Sequence, residues 1–359
     1  MSHQGAGSRE RGAALDVARA AYRDIALYAP NRAPCTVDLS DNTNLWGVPP
    51  NAERALREAA VSTVTRYPSL YAPAVKEALA AYLGVTPDTI VTGCGSDDVL
   101  DSAIRAFCEP GDRVAVPDPS FAMIPIFARM NGLEPVLVPL AGGTALDADA
   151  MLATGARVTY LCSPNNPTGN VLDADAMRRV VREAPGVVVI DEAYAEFAGD
   201  DALALLRESE RVLVCRTLSK AFGLAGLRVG YMVGAPALVA EVEKSRGPYK
   251  LNALAEHAAV AALTADLAWV RAHVAEAVAN RERLADELRA RGLAPLPSRA
   301  NFVLAPVPDA ARLAARMREL GVAVRPFVGL PGTGDALRIS VGPWGMMEAC
   351  LAALDEARP

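Results

Sequence analysis

The chain has 359 residues and a formal net charge of −6. At about 150 residues per domain, this length predicts about two domains. The negative charge argues against a nucleic-acid-binding surface, and the absence of a run of about 18 apolar residues argues against a membrane span. Residues 1–12 lack the apolar core of a secretion signal, so we expect a cytoplasmic protein with six reduced cysteines. Three histidines and no CxxC pair predict no metal site.

The first part of the chain predicts short helices and one irregular loop. We expect helices over residues 16–29, 52–61 and 72–83, the last of them ended by Gly84. In residues 39–47, side-chain amides, an indole and a glycine precede two prolines, which is typical of a structured loop. Turn chemistry alone explains that loop as well as a binding role does.

Strand-like and helical patterns alternate between residues 89 and 234. This alternation predicts an α/β fold with a large domain built on a mainly parallel, doubly wound sheet. The fully apolar run 187–190 is typical of a strand that is buried on both faces. The predicted strands are 89–92, 114–116, 135–139, 158–162, 187–190, 212–215 and 228–233.

The last third of the chain predicts a smaller α+β domain. Residues 254–291 are almost entirely helix-forming and would span about 57 Å without a break, so we expect a kink or a break there. The elements predicted after them are strands 301–304, 322–325 and 337–341 and helices 310–320 and 346–356. We therefore divide the chain into an N-terminal arm and helix (1–35), a large domain (36–245) and a small domain (246–359).

A glycine-rich turn at residues 93–98 follows a predicted strand and begins a helix. Free backbone N–H groups at the positive end of the helix dipole suit a phosphate. Gly95, Ser96 and Asp97 are the candidate ligands. Serine and aspartate are also typical of ordinary helix starts, so this turn alone does not decide between the two interpretations.

The ends of three other predicted strands carry candidate side chains. Phe121 is expected at the start of a helix, where its ring could stack on a planar ligand or pack in the core. Asn166 lies in a loop rich in proline and glycine, which turn chemistry explains in part. Asp191 and Tyr194 follow the buried run 187–190, where open α/β sheets bind ligands, although an aspartate there is also a common helix cap.

In residues 213–228, an apolar strand is followed by small hydroxyl residues, one lysine and a glycine-rich segment. Burial lowers the pKa of a lysine such as Lys220 and makes its amine a nucleophile toward an aldehyde. Thr217, Ser219 and Arg228 are placed to hold an anion beside it. The alternative is an ordinary surface lysine in a strand-to-helix loop.

Taken together, these groups match one ligand, pyridoxal 5'-phosphate. Lys220 suits its aldehyde. Asp191 would keep the pyridine nitrogen protonated, which makes the ring an electron sink. Asn166 and Tyr194 would donate hydrogen bonds to the ring hydroxyl, and Phe121 would support the ring. The turn at 93–98 and the anion-binding groups near Lys220 would hold the phosphate.

Several motifs extend this pattern over nearly the whole chain from about residue 39. They are residues 42–47, 66–68, 93–98, 165–169, 191–194, 219–220 with Arg228, and 338–340. Together they resemble the fold-type I pyridoxal phosphate-dependent aminotransferases of class I and II, and most closely the histidinol-phosphate aminotransferase branch.

The resemblance implies a homodimer in which Tyr67 reaches the cofactor phosphate of the neighbouring subunit. It implies that Arg338 binds the substrate carboxylate, or the group in its place, because a planar guanidinium suits a carboxylate. Asn44 would also contact the substrate. Tyr28 and Arg325 would lie near the far end of the substrate, which is a phosphate in the named branch.

Some residues depart from the pattern of that branch. Thr43 and Leu45 replace its usual glutamate and proline, Lys250 replaces asparagine, and residues 342–345 replace a Gly-Thr and acidic pair. These positions surround the expected substrate and not the cofactor. The sequence therefore leaves the substrate open, including a secondary-metabolic one.

We hypothesise amino-group transfer between a small amino donor and a 2-oxo acid, in which Lys220 also shuttles a proton. One alternative keeps the cofactor and changes the reaction to a lyase, for example a decarboxylase of a phosphorylated amino acid. A second alternative is a ligand-sensing domain of a transcription regulator. That alternative requires a basic DNA-binding module, for which the N-terminal arm has no room.

Overall fold

The computed structural model of the chain describes residues 17, 19–23, 25–27, 33–199 and 201–358. Its strands are β1 (Val37–Asp38), β2 (Ile90–Cys94), β3 (Arg113–Asp118), β4 (Glu134–Pro139), β5 (Val158–Cys162), β6 (Val187–Asp191), β7 (Val212–Thr217), β8 (Val229–Gly234), β9 (Phe302–Pro306), β10 (Val322–Ala323), β11 (Arg325–Leu330) and β12 (Gly334–Ser340).

The α-helices are α1 (Pro50–Glu58), α2 (Pro73–Leu83), α3 (Ser96–Phe107), α4 (Met123–Met130), α5 (Ala148–Ala153), α6 (Ala174–Glu183), α7 (Ala195–Ala198), α8 (Pro236–Arg246), α9 (Ala253–Ala265), α10 (Leu267–Ala290), α11 (Ala310–Glu319) and α12 (Trp344–Ala357). Short 3₁₀ helices lie at Ala20–Tyr22, Val61–Thr65, Pro87–Thr89, Ala202–Arg207 and Ala225–Leu227.

A seven-stranded sheet of order β2-β8-β7-β6-β5-β3-β4 is the centre of the fold. All neighbouring pairs are parallel except those of β8, which is antiparallel to both β2 and β7. In β6, Val187 and Val189 pack into one hydrophobic cluster and Val188 and Ile190 into another. Successive side chains of a strand point to opposite faces, so this strand is buried on both sides. The predicted α/β sheet is confirmed.

A second, antiparallel sheet of order β11-β12-β9 packs with α10, α11 and α12 in the C-terminal part of the chain. Its hydrophobic cluster includes Leu39, and β1 pairs in parallel with β10. The start of the predicted large domain is therefore hydrogen-bonded to the C-terminal elements. The division at residues 36 and 246 remains a proposal.

The predicted break in the long helical segment is present at Asp266, where α9 and α10 meet at 80°. The carboxylate of Asp266 accepts hydrogen bonds from the backbone N–H groups of Asn51 and Ala52. It thereby caps the first turn of α1, whose N-cap residue Pro49 makes no side-chain capping bond. Within the described residues, no single helix is long and apolar enough to cross a membrane, although the bent pair α9–α10 meets that test jointly.

Two predicted elements are wrong. Of the predicted helix at 16–29, the described residues contain only the 3₁₀ turn Ala20–Tyr22, in which no side chain is buried. Without packing, a short helix has little to stabilise it. The strand predicted at 322–325 is two strands, because the chain changes partner at the buried Val324: β10 pairs with β1, and β11 pairs with β12.

Candidate active site

Lys220 lies three residues after the end of β7, at the edge of the large sheet where β5 and β6 also end. Its Nζ donates a hydrogen bond to the backbone oxygen of Asp41, at 3.1 Å. The same atom lies 5.8 Å from the centre of the Tyr194 ring. Burial, reinforced by the nearby positive charge of Arg338, lowers the pKa of Lys220 to about 8. A substantial fraction of this amine is therefore neutral near neutral pH, as a nucleophile requires.

Asp191 is the last residue of β6 and is 4% exposed. Its Oδ2 accepts a hydrogen bond from the hydroxyl of Tyr160 at 2.8 Å, and its Oδ1 accepts one from the N–H of Ala193 at 3.1 Å. Burial raises the pKa of Asp191 to about 6, and these two hydrogen bonds limit the rise. Asp191 has no ion-pair partner among the described residues, and a buried carboxylate of this kind suits a cationic group such as a protonated pyridine nitrogen.

Tyr194 follows Asp191 by three residues and is also buried. Its hydroxyl accepts a hydrogen bond from Nδ2 of Asn42 at 3.1 Å, and its ring packs edge-on against Phe302. Burial raises the pKa of Tyr194 to about 12, so the phenol stays protonated and can donate a hydrogen bond.

In the turn before α3, the backbone of Gly95 lies close to the guanidinium of Arg228. Gly95 has φ +84°, and a Cβ added there would lie 2.3 Å from Nη2 of Arg228. Only glycine allows Arg228 to lie so close to this turn. The same guanidinium contacts Asp97 at 3.4 Å.

The hydroxyl residues at the end of β7 and just after it lie next to that turn. Gly230 is the cross-strand partner of Thr217, and a Cβ on Gly230 would lie 2.2 Å from the backbone nitrogen of Ser96. Thr217 and Ser219 hydrogen-bond to each other, with 2.9 Å between their hydroxyl oxygens. The predicted phosphate-binding residues are thus brought together from β2, β7 and β8.

Lys250, one of the departures from the branch, belongs to the same region. Its Nζ donates to Oδ1 of Asp98 at 2.8 Å, while Oδ2 of Asp98 accepts from the N–H of Cys94 at 2.9 Å. The lysine therefore neutralises an acid at the start of α3. Sequence reasoning did not predict this ion pair, because the two residues are 152 positions apart.

Arg338 on β12 is 6% exposed. Its Nη1 donates to Oδ1 of Asn166 at 2.5 Å, and its Nη2 donates to the backbone oxygen of Ser40 at 2.7 Å. The rings of Phe302 and Phe327 lie 5.4 and 5.7 Å from its guanidinium carbon. Asn166 and Arg338, predicted for cofactor and substrate respectively, are therefore in direct contact.

Arg325 is the direct cross-strand partner of Arg338 in the β11–β12 pair. Its Nη2 lies 3.3 Å from Oδ1 of Asp41. Sequence reasoning predicted both arginines and missed the acid between them and Lys220. The only available signal was its position directly before the motif at residues 42–47.

Asn44 and Phe121, both predicted to bind a ligand, contact other parts of the chain. Nδ2 of Asn44 donates to the backbone oxygen of Ala221 at 3.1 Å, and its Oδ1 accepts from the N–H of Trp46 at 2.8 Å. Asn44 therefore braces the loop that carries Lys220. Phe121 precedes α4 by two residues and is half-buried against a hydrophobic cluster of the large sheet.

Tyr67 contacts none of the other predicted site residues within the part of the chain that the structure describes. It is 85% exposed, and its ring stacks on Tyr249 with centroids 5.1 Å apart. Tyr28, predicted near the far end of the substrate, lies outside the described residues.

These features fit pyridoxal 5'-phosphate. The site contains an amine with a lowered pKa, a buried carboxylate at the end of a strand, and a glycine-containing turn that lies against an arginine. Among the described residues, no group of three or more His, Cys, Asp or Glu side chains could hold a metal ion.

Comparison with known proteins gives concordant results. The family model for aminotransferase class I and II matches residues 35–354. Histidinol-phosphate aminotransferase 1 of Nostoc sp. is 35% identical over 92% of this chain and 95% of its own length. An aromatic amino acid aminotransferase of Rhodococcus jostii is 37% identical over 93% of this chain and 94% of its own length.

Solved structures agree with these matches. The histidinol-phosphate aminotransferase of Sinorhizobium meliloti in complex with pyridoxal-5'-phosphate superposes with a TM-score of 0.81 and 28% identity, covering 92% of this chain and 95% of its own. The predicted family, fold and cofactor are confirmed. The chain belongs to the class I and II aminotransferases, and it is a pyridoxal 5'-phosphate-dependent enzyme of that family.

Proposed function

We propose that the protein transfers an amino group from a donor whose anionic group binds Arg338 to a 2-oxo acid, with Lys220 as the catalytic base. The observation that carries this proposal is the amine of Lys220, with a pKa of about 8, in one site with Tyr194 and Arg338. An amine with a pKa close to neutral can both accept and return a proton.

We assign the binding residues by their chemistry. Bound pyridoxal 5'-phosphate supplies an electron sink that stabilises negative charge at the Cα of the donor. Asp191 would hold a proton on the ring nitrogen, and Tyr194 would donate a hydrogen bond to the ring oxygen. Arg228 and the N–H groups that the Gly95 turn exposes would bind the phosphate. Further ligands are Ser96, Asp97, Phe121, Asn166, Thr217 and Ser219.

The residues of this chain then act on the donor. Arg338 fixes an anionic group with its planar guanidinium, which Ser40 and Asn166 hold in place. This orientation would place the hydrogen on Cα toward the amine of Lys220, which would remove it as a proton and deliver it to C4′ of the cofactor, so that the donor is released as a 2-oxo compound and its amino group stays on the cofactor. The aromatic rings of Phe302 and Phe327 limit the access of water to that guanidinium.

Absorbance and product analysis test this proposal. Purified enzyme should show the visible absorbance of lysine-bound cofactor and form glutamate from 2-oxoglutarate and an amino donor. The Lys220→Ala variant should lose both, whereas Lys244→Ala, which removes a lysine that is 71% exposed, should lose neither. Carbon dioxide without glutamate would contradict amino transfer and indicate a lyase.

We also propose a homodimer, in which Tyr67 contacts the partner subunit. Exposed apolar side chains are concentrated around it: Val61 (84%), Val64 (65%), Leu70 (51%), Tyr71 (37%) and Tyr249 (45%). Such a patch is typical of an interface. Sedimentation should give about twice the mass of one chain, and Tyr67→Phe should weaken cofactor binding. A monomer with unchanged affinity for the cofactor would contradict this proposal.

The state of the cysteines bears on the cellular compartment, and the relatives bear on the class of amino donor. None of the six cysteines forms a disulfide, which supports a reducing compartment such as the cytoplasm. The names of the relatives give two donor classes, histidinol phosphate and aromatic amino acids. These classes differ in the anionic group beside the amine-bearing carbon, which is a phosphate ester in histidinol phosphate and a carboxylate in an aromatic amino acid.

A further inference from the structure

Two arginines face each other where the substrate would lie. Arg325 and Arg338 are direct partners across β11 and β12, and like charges in this position destabilise a sheet. Each guanidinium has oxygen partners from the chain itself. Arg338 donates to Asn166 and to the backbone of Ser40, which are both uncharged acceptors. Arg325 instead contacts the carboxylate of Asp41.

Asp41 is part of the wall of the site. Its backbone oxygen accepts the hydrogen bond of Lys220, so its carboxylate extends from a residue in contact with the catalytic amine. The side chains of Asp41 and Arg325 are 21% and 24% exposed. A pair of charges shielded to this degree interacts more strongly than one on the surface. The negative charge of Asp41 also counteracts the lowering of the Lys220 pKa.

We propose that Asp41 is a specificity-determining residue that disfavours a phosphate dianion beside Arg325 and Arg338 and thereby selects an amino acid, whose carboxylate carries a single negative charge. This inference rests on the amino transfer proposed above. A phosphate dianion near Arg325 would have to displace the carboxylate of Asp41 or lie beside it, and like charges repel. Sites that exclude a competitor commonly do so by such a repulsive element.

Two aromatic rings border the guanidinium of Arg338. Phe327 lies two residues after Arg325 on β11, and residues so spaced share one face of a strand. Its ring is 5.7 Å from the guanidinium of Arg338, and that of Phe302 is 5.4 Å from it. The α-carboxylate of an amino acid at Arg338 would therefore have aromatic surfaces on its flanks. Arg325, which contacts Asp41, is the cross-strand partner of Arg338, so the charge of Asp41 lies near that anion.

Single-turnover kinetics test this inference without an acceptor. Holoenzyme is mixed with phenylalanine or with histidinol phosphate, and the rate and dissociation constant are read from the change in visible absorbance. Wild-type protein should prefer phenylalanine. Asp41→Asn should shift the ratio of the two rate-to-affinity quotients at least tenfold toward histidinol phosphate, and Asp41→Ser should shift it in the same direction.

Asp149→Asn is the matched control, because it removes one acid whose side chain is 81% exposed and pairs with Arg179. It should leave the ratio unchanged. A wild type that prefers histidinol phosphate, or Asp41 variants with the wild-type ratio, would overturn the role of Asp41. An absorbance that neither donor changes would overturn the amino transfer itself, together with this inference.

Discussion

The Asp191→Asn substitution should weaken cofactor binding and should make the stability of the cofactor-free protein less dependent on pH. Asp191 has a pKa of about 6 in the folded protein, against an ordinary value of 3.8. Because its folded pKa is raised, the folded protein binds this proton more tightly than the unfolded chain does. The stability associated with the proton is present at low pH and is lost as the pH rises through about 6.

The size of the loss follows from the difference between the two pKa values. At about 1.4 kcal/mol per pKa unit, the complete loss is about 3 kcal/mol. About 1.4 kcal/mol of it falls between pH 5 and pH 8. For a chain of 359 residues this corresponds to about 2 °C in the unfolding midpoint. Asparagine cannot ionise and should not show this loss.

Differential scanning calorimetry of cofactor-free protein measures the effect. The difference in midpoint between Asp191→Asn and wild type should grow by about 2 °C in favour of the variant from pH 5 to pH 8. Asp286→Asn, an exposed control, should not change with pH relative to wild type. Bound cofactor should reduce the effect in wild-type protein, because its protonated ring nitrogen stabilises the carboxylate.

Parallel curves for Asp191→Asn and wild type over this pH range would refute the reasoning. They would mean that Asp191 has its ordinary pKa. Burial would then not raise this pKa, and the carboxylate would not be adapted to bind a cation. A fixed offset between the curves would not bear on the question. The variant also alters the hydrogen bonds from Tyr160 and Ala193, and that contribution is independent of pH.

Three further outcomes are expected. Gly95→Ala should destabilise the protein by about 1–3 kcal/mol in denaturant titration, because a side chain at φ +84° costs about that much and its Cβ meets Arg228; unchanged stability would contradict the close contact. Arg216→Met should destabilise the protein by about 3–5 kcal/mol in denaturant titration, since it leaves the buried carboxylate of Glu192 without its partner at 2.7 Å; a loss below about 1 kcal/mol would count against that ion pair. In cofactor-free protein, the reaction of Lys220 with an amine reagent should follow a titration near pH 8, and a midpoint above pH 10 would contradict its lowered pKa.

The large sheet and its functional edge could be predicted from the sequence because their signals are local. An apolar run such as residues 187–190 predicts a buried strand, and the side chain that follows it must lie at the strand's carboxyl end. Asp191, Lys220 and the Gly95 turn were found in this way. The break between α9 and α10 was foreseen from the length of the helical pattern alone.

The remaining features depend on contacts between distant parts of the chain. Nothing in the local sequence indicates that Asp266 caps α1 or that Tyr160 donates to Asp191. Asp41 directly precedes a recognisable motif, yet its ion pair with Arg325 spans 284 positions. The strand predicted at 322–325 was wrong for the same reason, because only the available partners show where the chain changes sheet.

The short strand β1 ties the active site to the C-terminal sheet. Residues 37–38 pair with β10, the N–H of Ser340 donates to the oxygen of Leu39, and the N–H of Asn42 donates to the Ser340 hydroxyl. The oxygen that Lys220 contacts belongs to Asp41, inside this anchored run. A displacement of the C-terminal sheet relative to the large sheet would carry that oxygen with it. The pKa of Lys220 should therefore depend on the position of the C-terminal sheet, although Lys220 itself follows a strand of the large sheet.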